Sequence, residues 1–279
     1  PKIQPFLYDH QIDGIPVLPG VMGVEAFAEA ALALLPDWHV ASIEDVNFLA
    51  PFKFYRHEPR TLTVEAVLHP HTNGIIADCR LIGHRSLPNQ IEPQTTIHFT
   101  GRVLLAKQSS KKVSGGALKP QGNIIEAADI YALYFHGPAY QVVQKAWWDG
   151  KRIIGLLSDK LSANHHPAEL STCVGPRLIE LCFQTAGICE MGIDGRMGLP
   201  LHIDRLIFSP QIAELPNQSL YAVVTRKPEQ SSFDAAVVDA SGNCYVQLSG
   251  YHTVSVADAI DPSKLKALRA AMTLDLVAA

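Results

Sequence analysis

The apolar residues of the first hundred positions change their period once. From Gly20 to about Leu35 they crowd together in "VEAFAEAALALL", broken only by Glu25 and Glu29, which predicts a largely buried helix. Apolar and polar residues then alternate in "HVASIEDVNFL", "RTLTVEAVLH", "GIIADCRLIGH" and "TIHFTGRVLLA", the period of two expected of strands with one face in a core. A short strand is also predicted ahead of the helix, around "IQPFLY". After a stretch rich in Ser, Lys and Gly, "AKQSSKKVSGGALKPQGN", the pattern starts again. "QVVQKAWWDG" and "KRIIGLLSD" read as a hairpin, "PRLIELCFQTAGICEM" as a buried helix, and "LHIDRLIFS", "LYAVVTRK", "FDAAVVDA" and "CYVQLSGYHTVSV" as strands. The expected fold class is α+β, with one buried helix and an antiparallel sheet in each half. The expected boundaries are residues 1–106, a linker at 107–124, residues 125–260, and a tail at 261–279 that forms a modestly amphipathic helix suited to connecting a further domain.

The recurrence survives residue by residue. With Gly20 set against Gly175, Glu25 meets Glu180, Glu29 meets Gln184 and Ala31 meets Ala186. Glu180 and Gln184 are one turn apart and so share a helix face. That face lies among Leu178, Ile179, Leu181, Cys182 and Phe183, and a carboxyl group there is costly unless it is paired, hydrogen-bonded or protonated. Glu180 is therefore a candidate for chemistry.

Composition narrows the classes. The net charge is −4 and the 23 basic residues are scattered, which argues against a nucleic-acid binder. Five cysteines, odd in number and without C-x-x-C spacing, read as buried thiols in the cytoplasm. No apolar run is long enough to span a bilayer. The chain begins at Pro1 without a leader pattern, as expected of a piece of a longer polypeptide. His69 with His71 and His165 with His166 lack zinc-site spacing, and neither a G-x-G-x-x-G loop nor a G-x-S-x-G elbow occurs, so no metal or nucleotide cofactor is expected.

One histidine stands out. In "DHQIDGIPVLPG" His10 sits in a Gly/Pro loop that runs into the first helix, where unpaired N–H groups at a helix start can face an oxyanion. "HQIDGIPVLP" matches H-x-x-x-G-x-x-x-x-P, giving His10, Gly14 and Pro19. This resembles the signature of dehydratase domains of polyketide synthases and related polyunsaturated-fatty-acid synthases. "FHGPAYQ" resembles the family's Y-G-P-x-F block, with His136 in place of Tyr and Tyr140 in place of Phe around Gly137 and Pro138. "IELCFQ" occupies the D-x-x-x-Q/H block with Glu180 where most members carry Asp, and "LPLHIDRLIF" resembles the strand that follows.

The resemblance implies a double hotdog, two fused units each wrapping an antiparallel sheet around a long helix. It also implies that a base, His10, faces an acid, Glu180, across a tunnel. On that reading neutral His10 takes the α-proton of a 3-hydroxyacyl thioester, and Glu180, kept protonated by its apolar surroundings, protonates the leaving hydroxyl. Gln184 fixes the carboxyl rotamer or binds the substrate hydroxyl, and the N–H groups of Gly20 and Val21 meet the thioester oxygen. Gly14 permits the tight turn, Pro19 starts the helix, and Gly137, Pro138 and Tyr140 shape the substrate wall. The symmetry-related pair would be Glu25 with a residue near His165, as a vestigial site. The implied partners are an acyl carrier protein, whose phosphopantetheine bears the substrate, the other domains of the same synthase, and a second copy in a homodimer. Two alternatives remain open: a cyclase or isomerase on the same fold, and a catalytically silent acyl-binding scaffold.

Overall fold

The computed structural model describes residues 2–85, 92–107, 123–166, 170–209, 219–255 and 260–272. The first half opens with a 3₁₀ turn at Pro5–Leu7, where a strand was expected. Pro5 explains the difference, since it fixes φ for a turn and offers no N–H to a ladder, while Phe6 and Leu7 bury themselves from that turn. A two-residue hairpin follows, β1 (Gln11–Ile12) and β2 (Ile15–Pro16), which the hydrophobic pattern had not suggested. Asp13 and Gly14 form its turn with φ of 52° and 72°, the doubly left-handed backbone that an Asp-Gly pair favours.

Helix α1 (Gly20–Leu34) comes next, then strands β3 (His39–Phe48), β4 (Leu62–His71), β5 (Gly74–Arg85) and β6 (Gln94–Ala106). The second half contains β7 (Ile124–Glu126), the short α2 (Ala127–Tyr131), β8 (Val143–Trp148), β9 (Ile153–Leu157) and α3 (Pro176–Asp194). It continues through β10 (Gly198–Phe208), β11 (Leu220–Lys227), β12 (Ser232–Asp239) and β13 (Cys244–Ser255) to α4 (Lys266–Met272). Most of the segment read as a linker lies outside the described residues; β6 ends at Ala106 and β7 begins at Ile124. The tail read as a connector starts with α4, which packs on α3 and buries Leu268 and Ala271.

Eleven strands form one antiparallel sheet in the order β4-β5-β6-β3-β10-β13-β12-β11-β9-β8-β7. The halves join where β3 pairs with β10, and Ile43 opposite Leu206 and Val46 opposite Ile203 are fully buried at that seam. Each half lays one helix on this sheet: α1 on β3 to β6, and α3 mainly on β9 and β11 to β13. Helix α3 is buried without a break from Leu178 to Gly192. Its start is set by Gly175 in a left-handed conformation followed by Pro176, which needs no hydrogen-bond acceptor in the first turn. At about 1.5–3 kcal/mol for each large apolar side chain removed from water, such a helix holds its place by burial rather than by helix propensity. A polar side chain on it is therefore held rigidly.

Candidate active site

The hairpin positions His10. Its register, Gln11 opposite Pro16 and Ile12 opposite Ile15, brings His10 against Val17, whose N–H donates to the His10 carbonyl at 2.9 Å. The His10 ring returns the bond: Nδ1 lies 2.8 Å from the Val17 carbonyl oxygen. A carbonyl only accepts, so Nδ1 carries the ring proton and Nε2 carries the lone pair. Burial, then the charge of His136, lowers the His10 pKa to about 4, against the opposing pull of Glu180 and the Val17 bond. The imidazole is neutral at physiological pH, the form a base requires.

A second loop is stitched beside it. His10 and His136 pair as a single antiparallel backbone bridge. Gly137 N–H donates to the Asp9 carbonyl at 2.7 Å, and Ala139 N–H to the Asp9 carboxylate at 2.9 Å. A Cβ on Gly137 would stand 2.9 Å from the Asp9 Cα, so only glycine allows the two loops this close. The rings of His10 and His136 end up edge to face, with centroids 5.3 Å apart.

Glu180 reaches the same place from α3. Its Oε1 lies 3.3 Å from Nε2 of His136 and accepts a hydrogen bond of 2.9 Å from Nε2 of Gln184, one turn on. Among the described residues Oε2 accepts no hydrogen bond. Gln184 is fully committed: its amide also donates to the Tyr140 carbonyl at 2.8 Å, and its oxygen accepts from the Tyr131 hydroxyl at 2.8 Å, which itself accepts from Val143 N–H. Of the two roles considered for Gln184, the geometry provides the fixing of the carboxyl rotamer.

The expectation of a raised Glu180 pKa is corrected. Burial does push it up, but the hydrogen bond and charge of His136, together with His10 and Gln184, pull it below the ordinary carboxylate value. The apolar wall was legible in the sequence and the imidazole beside it was not.

His10, Glu180, His136, Gln184 and Gly20 line one cavity of about 460 Å³. Phe48, Phe99 and Phe183 line it as well, and Leu49, Leu201 and Val254, each well exposed, mark its way to the surface. The other expected contact residues stand behind this lining. Gly14 forms the hairpin turn, Pro19 caps α1, and Val21 and Tyr140 are fully buried. Gly137 abuts Asp9, and Pro138 is exposed on the same loop. Sequence reasoning missed Tyr131 and Tyr134, which brace Gln184 through its side-chain oxygen and its backbone carbonyl. The sole hint was their nearness to the "FHGPAYQ" block.

The symmetry-related pair is not assembled. Glu25 accepts hydrogen bonds from the backbone N–H groups of Cys173 and Val174, just ahead of α3, while His165 packs edge-on against Phe6. Among the described residues no cluster of His, Cys, Asp and Glu has metal-site geometry, and no helix is long and apolar enough to cross a membrane.

The comparisons with known proteins agree with one another. A family model described as polyketide synthase dehydratase domain matches residues 1–77, and one described as polyketide synthase dehydratase N-terminal domain matches residues 128–263. The chain is similar to polyketide synthase ThaG of Burkholderia thailandensis, 24% identical over 268 residues, and to polyketide synthase PksN of Bacillus subtilis, 23% identical over 262. These alignments cover 91% and 88% of the chain but only 4% of either relative. Its fold resembles the dehydratase domain from the CurF module of curacin polyketide synthase, with a TM-score of 0.71 at 17% identity, covering 90% of this chain and 89% of that one. It also resembles the dehydratase domain of a mycocerosic acid synthase-like polyketide synthase, with a TM-score of 0.70 at 17% identity, covering 91% and 86%. Those folds are double hotdogs, which is what the two helices on one eleven-stranded sheet amount to. With both halves matched in order, the chain belongs to the polyketide synthase dehydratase domains.

Proposed function

We propose that the chain eliminates water from a 3-hydroxyacyl thioester, giving the 2,3-enoyl thioester, with His10 as base and Glu180 at the leaving hydroxyl. The observation that carries this reading is that a base from one half and a carboxyl group from the other line the same largely apolar cavity. His10 Nε2 takes the α-proton, and the electron pair left behind forms the double bond as the C–O bond breaks. Glu180 meets the hydroxyl with its carboxyl group, whose orientation the Gln184 bond to Oε1 holds. The negative charge on the thioester oxygen is met at the start of α1, where Gly20 lines the cavity, its N–H has no acceptor within the helix and the helix dipole is favourable.

The reaction is redox-neutral and moves two protons, so an acid and a base suffice and no metal or organic cofactor is called for. The acyl chain is presented on the phosphopantetheine of an acyl carrier protein, one of the other domains of the synthase. The apolar lining suits its hydrocarbon.

The test is turnover of a (3R)-3-hydroxyacyl pantetheine thioester, followed by mass spectrometry for loss of water. His10→Ala and Glu180→Gln, each folded like the parent, are expected to lose about 10²-fold or more in kcat. A parent inert on both 3-hydroxy configurations and across chain lengths, or variants as fast as the parent, overturns the reading.

A further inference from the structure

His136 stands where the resembling domains carry a tyrosine, and the dehydration reading as stated gives it no task. Three observations single it out. Its Nε2 lies 3.3 Å from Glu180 Oε1, and both side chains are almost completely buried. Its Nδ1 is buried and has no hydrogen-bond partner among the described residues. Its backbone is locked to His10 by the bridge between the two loops. A phenol at this position can donate a hydrogen bond but takes up no proton; an imidazole can do both.

We propose that His136 and Glu180 act as one acid, sharing a single proton between Nε2 and Oε1, so that the imidazole stores the proton that Glu180 delivers to the departing hydroxyl. His136 is thus a positioning and proton-holding residue that acts through Glu180.

Among the described residues, the imidazoles of His136 and His10 are the basic groups that face this carboxyl. The other titratable groups facing Glu180 are Tyr131 and Tyr134, before the His136 loop, Tyr251 on β13, and Cys182 on α3 itself. Burial raises the pKa of all four, so they stay neutral. Burial likewise holds His10 neutral. The resting carboxyl is ionised by its neighbours, so its proton has to be held beside it.

The step balances. His10 gains the α-proton, the C–H electron pair becomes the new π bond, and the C–O pair leaves with oxygen. The shared proton passes to Oε1 and from Oε1 to the departing oxygen, which leaves as water, with Glu180 ionised beside neutral His136. Solvent entering the emptied cavity then carries the proton from His10 back to the pair.

The inference rests on the dehydratase reading and is tested by His136→Gln, whose amide can still donate to Oε1 but cannot hold a proton. His136→Tyr serves as a second variant should the first fold poorly. The alkaline limb of the kcat–pH profile is expected to move acidward by about one pH unit, because a lone buried carboxyl group releases its proton earlier than the pair. In parallel, infrared difference spectra against Glu180→Gln are expected to show a neutral-carboxyl band at neutral pH in His136→Gln and none in the parent.

A purely structural His136 would lower kcat by the same factor at every pH. Such a uniform loss, an unchanged profile, or a neutral-carboxyl band already present in the parent overturns the proposal. The infrared measurement needs no turnover. A parent that dehydrates nothing but shows the expected spectra sinks the dehydratase reading and leaves the proton pair standing.

Discussion

In the proposed reaction three side chains divide two jobs. Val17 fixes the His10 tautomer from seven residues away, and burial keeps the ring neutral down to about pH 4. The acid limb of kcat/KM is therefore expected near pH 4 rather than at the ordinary imidazole value of about 6.5, and a limb near 6.5 would contradict the burial described here. Stability follows the same shift. Below about 6.5 the unfolded chain binds a proton that native His10 refuses, so stability is lost as pH falls from there to about 4, by roughly 3 kcal/mol in all. Urea unfolding of the parent across that range, set against His10→Gln, isolates the slope; a variant with the parent's slope assigns it elsewhere. The sequence made His10 and Glu180 visible, because each sits in a local pattern of glycine, proline and apolar neighbours. It did not show the ionisation of Glu180, since the deciding group lies 44 residues away along the chain and meets it only in the fold.

Among the elements, the two loops that carry the histidines matter most. The "DHQIDGIPVLPG" stretch closes on itself as a hairpin and then grips the 136–139 loop through Asp9, which offers its backbone carbonyl to Gly137 and its carboxylate to Ala139. Asp9→Ala removes the second contact and leaves a partly buried N–H unpaired, at a cost of about 1–2 kcal/mol. It is expected to lower the melting temperature modestly and to lower kcat more than it raises KM, because His136 and Glu180 lose their spacing. Steady-state kinetics beside thermal unfolding decide this, and an unchanged kcat would detach the loop from catalysis. The long strands and both central helices were legible from period alone. The hairpin was not, because a two-residue strand has no period to read, and an Asp-Gly pair alone says only that the backbone turns tightly. The opening 3₁₀ turn was missed for the opposite reason: "IQPFLY" is apolar enough for a strand, and Pro5 decides against it.

At the scale of the whole molecule, the two halves share one continuous hydrogen-bonded sheet. Leu206, fully buried on β10, faces Ile43 on β3 and Leu248 on β13, at the seam between the halves. Leu206→Ala is expected to cost about 2–5 kcal/mol. Calorimetry should show one unfolding transition for both parent and variant, displaced as a unit; two separate transitions would mean that the halves fold independently. Repetition of the helix-and-strands order was readable in the sequence, while continuity of the sheet was not, because pairing between β3 and β10 joins residues some 160 apart.

That repetition also has a blank side. Glu25 is the mirror image of Glu180, yet it grips the backbone ahead of α3 and thereby steadies the very helix that carries its counterpart. One carboxylate of the duplicated pair thus pins the helix that carries the other. A molecule built this way has a front and a back despite its internal twofold.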